Sequence, residues 1–171
     1  MATTLGSVAV LAAALALAAT TLPAKAATFV YVGCTDSNEI HVLQLDPQNG
    51  QLTPVEKVTI PGIVKTAGST PMAISPDKKF LFAATRGEPM VAASFRIDPA
   101  TGKLSHIANG PLDGSMAYIA TDRSGRFLLA VGQTSNRMSV YAIDGGSGRL
   151  AKLADYPMGT NPNWVEIIDL P

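Results

Sequence analysis

The residue types in this chain that are able to do chemistry are few and scattered. Arg86 and Glu88 stand two apart in the segment Arg86-Gly87-Glu88-Pro89-Met90. A guanidinium there is able to clamp a carboxylate or phosphate through two parallel hydrogen bonds. The plain alternative is a solvated loop ion pair of small energetic worth. Cys34 is the only cysteine, so no internal disulfide forms, and no cation or base beside it in sequence would activate its thiol. The two histidines, His41 and His106, sit in strand-like segments, where packing or solvation explains a histidine better than catalysis does. Gly145-Gly146-Ser147-Gly148 lacks the spacing of a phosphate loop and joins two strands rather than a strand and a helix. No Cys and His cluster is spaced for zinc, and neither a cofactor nor a metal is called for. Arg86 and Glu88 are therefore the candidate ligand-contacting residues, with no catalytic residue assigned.

Composition narrows the partners. The chain has 171 residues, with 13 Lys and Arg against 13 Asp and Glu. That balance gives no electrostatic footprint for nucleic acid or an anionic membrane. With 15% charged residues, 15 Gly and 12 Pro, neither a coiled coil nor a charge-rich disordered chain fits. Val8 to Ala19 is an unbroken apolar run of 12, followed by Ala24-Lys25-Ala26. The run is shorter than the ~20 residues that cross a bilayer. It has the length of a signal-peptide core, and Ala24-Lys25-Ala26 has the small-x-small form of a cleavage site. Residues 1–26 are thus read as a signal peptide, residues 27–171 as the mature domain, and the location as periplasmic or secreted.

The elements that must position the candidate site repeat. Phe29-Val30-Tyr31-Val32-Gly33 recurs as Phe80-Leu81-Phe82-Ala83-Ala84 and as Phe127-Leu128-Leu129-Ala130-Val131. An acidic turn follows each Phe by 17 or 18 residues, beginning at Asp46, Asp98 and Asp144 and ending at Gly50, Gly102 and Gly148. Leu52, Leu104 and Leu150 come next at a fixed offset. Asp hydrogen-bonds amides two residues on, Pro presets φ in two of the three turns, and Gly takes a positive φ before the next strand. Between these marks the pattern alternates at period two, as in Glu39 to Leu45 and Met138 to Ile143, which argues strands. Four short antiparallel strands per repeat are the signature of a β-propeller blade. The fold class is all-β, with about three blades. Blade one covers 28–60 and is completed by the terminal strand 163–168. Blade two covers 71–110 and blade three 116–157. Open blade edges invite self-association.

These residues resemble the β-propeller lactonase family, the propeller-type 6-phosphogluconolactonases and carboxymuconate-cyclase-like proteins. Phe29 to Pro61, Ser75-Pro76-Asp77 with the Phe80 strand, and Asp98-Pro99-x-x-Gly102-Lys103-Leu104 are similar to that family's first two blades. Leu129 to Gln133, Ser139-Val140-Tyr141 and Gly159-Thr160-Asn161-Pro162-Asn163-Trp164-Val165 are similar to its final blade. The resemblance implies a seven-bladed ring from which about four central blades are missing, the start of a third blade running into the last near Arg126. It also implies a hydrolase of sugar-derived lactones in carbohydrate metabolism, with a small lactone or sugar acid as partner. The family's Pro-Arg-His, Ala-Asp-Ile-His and Gln-Pro-Arg-Gly segments do not occur here, so a catalytically inactive propeller fragment acting as a binding or interaction module stands as the alternative.

Overall fold

The computed structural model describes residues 26–171, so the expected signal peptide lies almost wholly outside the described residues. Eleven strands follow in chain order. They are β1 (Thr28–Cys34), β2 (Glu39–Leu45), β3 (Leu52–Thr59), β4 (Met72–Ile74), β5 (Phe80–Ala84), β6 (Val91–Ile97), β7 (Leu104–Pro111), β8 (Met116–Thr121), β9 (Phe127–Gly132), β10 (Arg137–Ile143) and β11 (Leu150–Pro157). They form one three-stranded sheet, β1-β2-β3, and two four-stranded sheets, β4-β5-β6-β7 and β8-β9-β10-β11. Every pairing is antiparallel between chain neighbours, so each sheet is a meander. The fold is all-β and made of propeller blades.

Turn chemistry repeats as the sequence demands. Gly50, Gly102 and Gly148 hold φ of 75°, 69° and 76°. Each donates its amide to the carbonyl of its turn's Asp, at 2.7 to 2.8 Å. The Asp98 carboxylate accepts from the Ala100 and Thr101 amides, and Asp144 from that of Ser147. At the other end of the blades, the Phe80 amide donates to Ser75 Oγ and the Phe127 amide to Asp122 Oδ1. A hydroxyl in one blade thus does what a carboxylate does in the next.

The outermost strand of each sheet carries one extra residue, marked by register shifts at Val42/Leu43, Ser94/Phe95 and Val140/Tyr141. The residues set out by these bulges are Val55, Ile107 and Leu153. Bulges bend the outer strand and increase its twist.

The blades follow one another in an arc. Leu81, Ala83, Ala93 and Phe95 of blade two form a core with Ile40 and Val42 of blade one. Phe80, Phe82 and Ala92 form a second core with Ile119, Leu128, Ala130 and Tyr141 of blade three. β5 is buried along its whole length because it has a neighbour on both faces, whereas β1 is only half-buried.

The expectation that 163–168 completes blade one is corrected. Residues 163–168 carry no strand pairing, and Trp164 stacks on Tyr118 of β8 at 3.9 Å between ring centroids. Blade two stands between blade three, which the tail leaves, and β1, which it would have to reach.

Candidate functional site

The β1–β2, β5–β6 and β9–β10 loops, and the segments entering β4 and β8, gather on one face of the arc. Hydrogen bonds between them define a mouth. Thr35 Oγ1 meets Thr70 Oγ1 at 2.9 Å, joining the β1–β2 hairpin to the segment entering β4. The backbones of Val64 and Lys65 bond to Glu88 in the β5–β6 loop at 2.7 to 3.1 Å. Asn136 accepts at Oδ1 from the Asn161 amide, tying the β9–β10 loop to the chain beyond β11.

Arg86 is the centre of this mouth. It follows the buried end of β5, where Thr85 closes the loop by accepting the Val91 amide on its hydroxyl. The guanidinium reaches into blade three. Its Nε donates to Ser115 Oγ at 2.7 Å and its Nη2 to Gln133 Oε1 at 2.9 Å. Both acceptors are neutral, and among the described residues no carboxylate lies within ion-pair distance of it. The half-buried positive charge is therefore fixed in direction but not neutralised, with N–H donors left over. Gly68, at φ 67°, wraps the stem so closely that a Cβ there would sit 3.1 Å from Arg86 Cδ. Gly87 lies against the Lys65 carbonyl, where no side chain fits. Beneath Arg86 the space lined by Thr35, Thr70 and Thr85 is about 10 Å³, room for one water at most.

The loop ion pair of Arg86 with Glu88, the plain alternative to a ligand contact, is not formed. Glu88 faces solvent beside Lys65, Nζ to Oε1 3.6 Å, with both side chains about 70% exposed. Such a pair contributes little to stability. The structure brings Arg86 together with Ser115 and Gln133 instead, from two loops of the next blade. The sequence carries no signal for either contact, since the three positions come together only when blades two and three pack.

The remaining candidates have structural settings. His41 Nε2 and Glu39 Oε2 are 2.9 Å apart on the free face of blade one, and the imidazole bond holds the Glu39 carboxyl below its ordinary range. His106 rests edge-on against Phe95 and bonds Asn109. Cys34 ends β1, half-buried. Among the described residues no three His, Cys, Asp or Glu side chains converge to hold a metal.

An arc of three- and four-stranded meanders with a loop-built mouth has the architecture of part of a β-propeller. The profile of the family described as Lactonase, 7-bladed beta-propeller, matches residues 23–167, and the chain belongs to that family. It is 40% identical over 117 residues to a 6-phosphogluconolactonase of Enterobacter sp. (strain 638), a match covering 68% of this chain and 33% of that one. It is 41% identical over the same length to a 6-phosphogluconolactonase of Cronobacter sakazakii, with the same coverage. The periplasmic gluconolactonase of Pseudomonas aeruginosa superposes with a TM-score of 0.71 at 25% identity, covering 78% of this chain and 38% of that structure. The chain thus spans about a third of the length of the relatives it matches.

Proposed function

We propose that the chain acts on sugar-derived lactones of the 6-phosphogluconolactonase type, with Arg86 binding the anionic group of the substrate. The observation that carries this reading is the Arg86 guanidinium, aimed by two neutral acceptors and left without a counter-ion at the mouth. A phosphorylated sugar lactone brings a phosphate, and its hydrolysis product adds a carboxylate. Both match the planar donor fork. In the hydrolysis a water oxygen bonds to the lactone carbonyl carbon, the ring C–O bond breaks, and the freed ring oxygen ends as a hydroxyl carrying a proton from that water; Arg86, holding the anionic group, keeps the ring at the mouth meanwhile. Glu88, exposed on the same loop, repels an anion and serves instead as an acceptor for sugar hydroxyls at the rim.

The reading extends to location. The apolar run Val8 to Ala19 and the Ala24-Lys25-Ala26 site support export to the periplasm. The Pseudomonas aeruginosa relative is periplasmic by its name. Among the described residues no helix is long and apolar enough to cross a membrane.

Calorimetric titration with 6-phosphogluconate tests the anion contact. Arg86→Ala removes charge-assisted hydrogen bonds of about 2 kcal/mol, so binding weakens roughly thirtyfold. Arg86→Lys recovers only part of it, because an ammonium lacks the fork. Equal affinity in all three proteins overturns the assignment.

A further inference from the structure

We propose that the two open ends of the arc bind each other in a second copy of the chain, blade three of each copy packing on blade one of the other to close a two-fold ring. The contact that would join them already exists twice within one chain. Blade one meets blade two where Phe29 lies against Gly102 and the Tyr31 hydroxyl donates to the Gly102 carbonyl at 2.8 Å. Blade two meets blade three where Phe80 lies against Gly148 and Arg96 Nη2 donates to the Gly146 carbonyl at 3.0 Å. In each case the Phe at or next to the start of β1 or β5 fits the glycine turn of the next blade. The bulge residue of the same blade packs beside it, Val55 in the first junction and Ile107 in the second. The leucine after the receiving turn is covered, Leu104 fully and Leu150 partly.

The ends of the chain carry the two unmatched halves of this contact. Blade three presents Phe127 and the bulge residue Leu153, which is 56% exposed. Blade one presents the Gly50 turn, with nothing within 4 Å of a Cβ built there, and Leu52, 48% exposed. A third repetition of the same junction therefore has both of its surfaces ready, at opposite ends of the arc. Within one chain they cannot meet, since blade two separates them. Strand count supplies a second, independent complement. Among the described residues, blade one has three strands where its neighbours have four, and β1 has β2 as its one strand neighbour. The segment 163–168, β-branched and unpaired, leaves blade three at the end where the partner's blade one would lie, with Ile168 77% exposed. Added to β1 of the partner, it completes that blade. A head-to-tail contact either closes into a ring or propagates as an open array. Two copies give six blades, inside the four to eight that propellers use.

Sedimentation velocity of the purified full chain across a wide concentration range tests this. The expected species has twice the chain mass. Leu153→Lys alone and Leu52→Glu alone each weaken the dimer at least tenfold, and circular dichroism stays unchanged because both positions are exposed in the monomer. Mixing the two variants in equal amounts restores a dimer, since one junction then pairs Lys with Glu and the other is wild type. Val165→Pro with Ile167→Pro, in a segment unpaired within the chain, also weakens dimerisation. A wild-type monomer at every concentration overturns the proposal, as does a dimer indifferent to these changes, a mixture that stays monomeric, or an open ladder of larger species.

Discussion

Arg86 stands out in the sequence as a candidate, whereas its setting does not. An arginine in a loop after a buried apolar strand is visible in the sequence, but its neighbour in sequence, Glu88, turned out to belong to Lys65. The acceptors that aim it, Ser115 and Gln133, lie 29 and 47 residues away. The turn aspartates are more local and were legible. Hydrogen bonds from Thr101 hold the Asp98 carboxyl below its ordinary range, and bonds from Ser147 do the same for Asp144. At Asp122 burial pushes the other way but is outweighed by bonds from Ser124 and Phe127. A carboxylate whose pKa is depressed by folding adds stability above its unfolded pKa and loses it as pH falls through the folded value. Urea midpoints should therefore be level near neutrality and drop below about pH 4. Asp122→Ala should lower stability by about 1–2 kcal/mol at neutral pH and flatten that acid limb. An unchanged acid limb in the variant would contradict the role given to Asp122.

At the level of elements, the repeating turn was the strongest signal, because Asp, Gly and the following Leu each answer a local backbone demand. All three glycines hold the positive φ that the pattern implies. What packs on the turn was not legible. Gly102 is pressed against the Phe29 ring while Gly50 has open space, so the same substitution should cost different amounts. Gly50→Ala carries the φ strain alone, about 1 kcal/mol. Gly102→Ala adds a steric clash with Phe29 and should cost about 1–3 kcal/mol more. Thermal unfolding of dilute protein measures the difference, and equal losses would show that the blade junction does not depend on the glycine. The bulges escaped the reading for a related reason. An extra residue in an outer strand leaves the two-residue alternation readable on either side, and only the cross-strand register exposes it. The tail was misplaced because alternation identifies a strand-forming segment without naming its partner.

On the scale of the whole molecule, three blades form an arc whose cores lie between neighbours, and the mouth is built across the junction of blades two and three. The family match, and an Arg86 guanidinium that meets no carboxylate among the described residues, support the proposed action on sugar lactones. The most direct measurement is continuous alkali titration of the acid released from 6-phosphogluconolactone, with and without the purified chain. Hydrolysis faster than in buffer alone, proportional to protein and reduced at least tenfold by Arg86→Ala, is the predicted result. A rate equal to that of buffer, or an Arg86→Ala protein as active as wild type, would contradict it.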